Sequence, residues 1–68
     1  MKNWQKVFET QILHRAEIVK SVLSEAMIDG IIVNKKDSMY NLGYFEVHVA
    51  RESVLNAIKL INENIKFE

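Results

Sequence analysis

The sequence contains no cysteine, no proline and only two glycines. Without cysteine there are no disulfides, no thiolate zinc sites and no cysteine nucleophile. Two isolated glycines, Gly30 and Gly43, cannot form the Gly-rich run that cradles phosphate. An excess of one charge is missing as well: nine Lys+Arg balance nine Asp+Glu. A neutral chain lacks the electrostatic footprint of a nucleic-acid binder. Long apolar runs are also absent, the longest being "AMI" and "IIV", so no membrane span is expected. The start "MKNWQKVFET" lacks the apolar stretch of a signal peptide, and a cytoplasmic protein is expected.

What the 68 residues do contain is enough for one small domain. A chain of this size buries only roughly 60% of its unfolded surface, and a core that small needs a further staple. With disulfides excluded, self-association is the staple expected.

Hydrophobic periodicity gives the element order. "WQKVFE" (4–9) is short and β-rich and reads as a first strand. Thr10 is placed to cap a helix in which Ile12, Ala16, Val19, Leu23 and Ala26 form a stripe, with Met27 as core filler. Asp29-Gly30 supplies the turn, on the expectation that Gly30 takes a positive φ. "IIVNK" (31–35) reads as a second strand, 36–43 as a loop, and "YFEVHVA" (44–50) as an alternating third strand. The stretch 51–65 is helical again, with Val54, Ile58, Ile61 and Ile65 on one stripe.

The order β-α-β-β-α points to an α+β, ferredoxin-like two-layer sandwich with both helices on one sheet face. Its final strand is missing or reduced to the stub "KFE". The third strand is expected in the centre, and the first becomes an exposed edge that invites pairing with another chain.

On this frame the pattern "W.KVFET....RAEIVKSVL.E..I...IVNKKDS.Y..GYFEVHV" resembles small bacterial domains of unknown function labelled prokaryotic signal-transducing proteins. Those are grouped by fold with the PII (GlnB-like) signal proteins. The resemblance spans about Trp4 to Ile65 and is most specific at Ala16-Glu17, at "NKKDSMY" (34–40) and at Gly43. It implies a signal-transducing role in which the connection after strand two reaches partners. That connection is short here and lacks a phosphate cradle, so nucleotide binding is not carried over and no cofactor is expected.

Two groups of residues stand out. Lys35, Lys36, Asp37, Ser38 and Tyr40 are first a hairpin connection. Two ammonium groups and a hydroxyl could also meet a small anionic metabolite or a protein partner. Tyr44, Glu46 and His48 alternate onto the sheet face away from the helices, beside either Lys6/Phe8 or Val7/Glu9 of strand one. RNA stacking on this face is disfavoured because Glu46 stands where an aromatic would be needed. His14 and His48 are the only histidines and lack metal-ligand spacing.

The reading that follows is a non-enzymatic interaction or small-ligand-sensing domain. It would form a homo-oligomer through Trp4 and Phe8 on the edge strand together with Tyr44, Glu46 and His48. The alternatives are a small dimeric enzyme using His48 and Glu46, and a subunit whose sheet is completed by a larger protein partner.

Overall fold

The computed structural model describes residues 3–37 and 42–65, with the backbone alone at Asp37 and Leu42. Ser38, Tyr40 and the stub 66–68 lie outside the described residues. The chain runs β1 (Trp4–Thr10), α1 (Leu13–Glu25), β2 (Gly30–Asp37), β3 (Leu42–Ala50), a short 3-10 turn (Arg51–Ser53) and α2 (Val54–Asn64). It is the expected α+β fold of order β-α-β-β-α, compatible with a ferredoxin-like arrangement. The strands form one open sheet in the order β1-β3-β2, and β3 is antiparallel to both neighbours. The expectation of a central third strand holds. No helix among the described residues is long and apolar enough to cross a membrane.

Both helices cover the same face of the sheet, in a slab 36 × 35 × 14 Å whose thin dimension is two layers. The core is Ala16, Val19 and Leu23 of α1, Ile28, Val47 and Val49 of β3, and Ala57 and Ile61 of α2. Sequence hydrophobicity misplaces part of it. Ile58, expected on the stripe, is 40% exposed; of the two residues flanking it, Ala57 is fully buried and Leu55 is 83% exposed. A side chain of one carbon lets α2 approach the sheet closely, and larger neighbours close around that contact as Val54, Leu60 and Ile65. On α1, Ile12 and Ala26 drop out of the stripe because they are the cap residues at its two ends.

The exit from α1 differs from expectation. Met27 is 92% exposed rather than core, and it has φ 64°. Gly30, by contrast, has no positive φ and opens β2. The helix ends in a Schellman arrangement: Met27 N–H donates to the Ser24 carbonyl and Ile28 N–H to the Leu23 carbonyl, at 3.0 and 2.9 Å. Ile28 then packs into the core with Leu23, the hydrophobic contact that accompanies this motif. The left-handed position usually taken by glycine is here a methionine whose side chain is left in solvent.

Entry into α1 also differs. Thr10 is not the cap residue; Ile12 is, and no side chain caps it directly. The Thr10 hydroxyl instead accepts from Ile12 N–H at 3.1 Å, bending the chain between strand and helix.

Strand β1 carries the fold's main irregularity. Lys6 pairs with His48 and Phe8 with Val47, so Val7 is an extra residue, a β-bulge. The bulge lets the adjacent Val7 and Phe8 both pack against the core. It also breaks the alternation, so that Lys6 and Glu9, three residues apart, share one face. Strand β2 has no such shift: it pairs with β3 continuously from Gly30↔Val49 to Asp37↔Leu42.

Candidate functional site

The sheet face not covered by helices is assembled from alternate residues of β3 and whatever stands opposite them. Tyr44, Glu46, His48 and Ala50 supply the central column. Register places Lys35 beside Tyr44, Glu9 and Val33 on either side of Glu46, Lys6 and Ile31 on either side of His48, and Trp4 beside Ala50. Neither of the expected strand-one pairs, Lys6/Phe8 or Val7/Glu9, lies here. The bulge selects one residue from each, Lys6 and Glu9.

At the middle of this uncovered face, Glu46 is 8% exposed. A buried carboxylate needs partners, and two neighbouring strand positions provide them. His48, two residues along and therefore on the same face, donates from Nε2 to Glu46 Oε1 at 2.8 Å. Lys6 Nζ stands 3.7 Å from Glu46 Oε2 and 2.8 Å from Glu9 Oε1. Glu9 and Glu46 are cross-strand neighbours of like charge, which repel. Lys6 lies between them and offsets that repulsion. The hydrogen bond from His48, with the charges of Lys6 and Lys35, holds the Glu46 carboxyl below its usual range even though burial pushes the other way. The bond and charge of Glu9 raise the Lys6 ammonium above its usual value.

Apolar side chains flank this polar centre on the β2 side and at its ends, while Glu9 and Lys35 leave the margin partly charged. Trp4 is 38% and Ile31 40% exposed, and Val33 and Tyr44 are half-buried. Period-two counting alone did not reveal Ile31 and Val33 as members of the face. The run "IIV" is apolar on both sides, and only pairing with β3 tells its two faces apart.

The remaining sequence candidates divide. Lys35 joins the face beside Tyr44, while Lys36, opposite Gly43, is on the helix side of the sheet. Both belong to β2 rather than to a loop, as does Asp37, so the two ammonium groups point to opposite faces and do not converge on one anion. Phe8, opposite Val47, lies on the core side and not with Trp4. Ser38 and Tyr40 are outside the described residues.

Two concave regions lie on the helix side, away from Glu46 and His48. One groove, about 360 Å³, runs between the helices past Ala26, Ile28, Asn56 and Leu60. A second, about 340 Å³, runs beside α1 along Glu17, Lys20, Ser21 and Ser24 with Ile32 at its floor. Among the described residues no three His, Asp or Glu side chains come together as a metal-ligand set.

Compared with protein-family models, curated proteins and solved structures, the chain matches none.

Proposed function

We propose that this protein is a non-enzymatic interaction domain that engages a protein partner through its uncovered sheet face. The observation that carries this reading is Glu46: a carboxylate buried at the centre of a face that no helix covers, and fixed there by His48 and Lys6. Protein interfaces are ordinarily apolar at the centre and polar at the rim; this face inverts that order, with a fixed charged group that gives specificity and aromatic anchors beside it that give affinity. Trp4 and Tyr44 are the aromatic anchors on this face. Acid–base catalysis is the weaker reading. Here the histidine and the glutamate satisfy one another. The sequence resemblance to signal-transducing domains supports an interaction role in the same sense.

Site-specific photo-crosslinking in the native host tests this. A benzoylphenylalanine at Tyr44 is expected to trap one discrete protein species, and one at Lys59 on the helix side is expected to trap none. Trp4→Glu, on the exposed rim, is expected to abolish the adduct. Equal trapping from both positions, or an adduct indifferent to Trp4→Glu, would overturn the reading.

A further inference from the structure

The two sheet edges are not equivalent, and the difference identifies a second surface. Strand β2 pairs only with β3, and among the described residues its other edge has no backbone partner. It is eight residues long, with no bulge and no proline. Ile31, Ile32 and Val33 occupy its first half, and Ile31 is 40% exposed. The neighbouring flank of α1 does not shield it. That flank carries the small residues Ser21 and Ser24 and one charge of each sign, Glu17 and Lys20, around the open groove over Ile32.

We infer that the protein forms a two-fold homodimer in which β2 pairs antiparallel with β2 of a second copy about Ile32, joining the two sheets into one. This goes beyond the proposed partner face and does not depend on what that face binds. The register follows from which side chains can oppose each other. Two-fold pairing about Ile32 sets Ile32 against itself, Ile31 against Val33 of the copy, and Asp29, one residue ahead of the strand, against Lys35 of the copy. Over 31–33 apolar residues meet apolar ones, opposite charges meet twice by symmetry, and the mismatch left is Lys36 opposite Ile28, a residue outside the strand. Pairing about Val33 would instead set Ile31 against Lys35 and Ile32 against Asn34. Pairing about Asn34 would set Ile32 against Lys36 and Val33 against Lys35. Lysines on an edge strand commonly prevent pairing. Here Lys35 opposes both shifted registers named and favours the one in which it finds Asp29.

Strand β1 cannot do the same. With its bulge at Val7, side chains before and after the extra residue fall out of alternation. A two-fold pairing across its full length would therefore either set core-facing residues against open-face residues or place two bulges opposite one another.

Sedimentation equilibrium on the wild type and three charge variants tests the inference. Asp29 and Lys35 are both exposed, so the variants keep the fold, and thermal melts check that they do. The wild type is expected to be a dimer. Asp29→Lys and Lys35→Asp are each expected to weaken dimerisation about tenfold or more, because symmetry repeats each like-charge contact. The double variant Asp29→Lys/Lys35→Asp is expected to restore it. A monomeric wild type, a dimer indifferent to the single reversals, or a double variant that fails to recover would each overturn the proposal. Because the chain is free of cysteine, a second readout is clean. Ile32→Cys is expected to form an intermolecular disulfide under mild oxidation, since directly opposed strand positions meet the required Cα separation. Gln5→Cys on β1 is expected not to. The reverse pattern would move the interface to β1 and overturn the assignment.

Discussion

Strands β1 and β2 look alike in composition and differ in what their edges can do. Both are short and rich in large apolar side chains, Trp-Val-Phe in one and Ile-Ile-Val in the other. One extra residue separates them. At Val7 the register slips, two neighbours turn to the core, and Lys6 and Glu9 are brought onto the open face. β2 keeps strict alternation from end to end. On the proposed pairing, an edge is protected or exposed by local irregularity more than by hydrophobicity, and the irregularity of β1 also builds the polar cluster around Glu46.

The largest way to disturb the comparison is to loosen the root of β2. Leu23 is fully buried, and its Cδ1 would lie 3.7 Å from a Cβ added at Gly30. Leu23→Ala is expected to cost about 2–5 kcal/mol, a large share of what a domain this small possesses, read as a fall in urea midpoint. Deleting Val7 acts on the other edge. It restores alternation to β1, and with two pairing edges the sheet can extend without closing. Light scattering is expected to show species larger than those of the wild type; an unchanged mass would mean that the bulge does not protect the edge.

Smaller effects refine the path into β2. Met27 holds a left-handed conformation at a cost of roughly 1–2 kcal/mol that glycine avoids. Met27→Gly is expected to raise stability by about 1 kcal/mol, or about 4–8 °C in Tm. Gly30 has an ordinary φ, and an added Cβ would meet Val47 Cγ1 at 3.5 Å, normal van der Waals contact. Gly30→Ala is expected to stabilise by about 0.4–1 kcal/mol in the same melt. A loss would instead indicate a backbone that requires glycine.

The smallest effect is electrostatic and is read as a pH slope. The folded Glu46 carboxyl titrates below its unfolded value of 4.5, so the native state favours the carboxylate. Its contribution is present above pH 4.5 and is lost as pH falls below that through the folded value. Glu46→Gln removes this dependence. The gap in Tm between wild type and variant is expected to narrow progressively on acidification from pH 5 to pH 3. A constant gap would show that the His48 and Lys6 contacts do not stabilise the charged form.

The strand order and the helix-covered face were legible because β3 alternates cleanly and both helices carry stripes. The sequence also placed Tyr44, Glu46 and His48 together, since residues two apart on a strand must share a face. Three features were not legible, each for a physical reason. A bulge leaves no mark in a single strand's pattern, because it exists only relative to a partner's register. Met27 reads as core because its side chain is apolar, yet the left-handed cap position is set by backbone hydrogen bonds to Leu23 and Ser24. The loop expected over 36–43 starts later, because the hairpin ladder continues to Asp37↔Leu42, and alternation sends Lys35 and Lys36 to opposite faces.

Amide hydrogen exchange followed by NMR at low and high protein concentration tests the central contrast most directly. The outward-facing amides of β2 between residues 31 and 36 are expected to slow as concentration rises, while those of β1 stay unchanged. Slowing confined to β1, or no concentration dependence at either edge, would contradict the account.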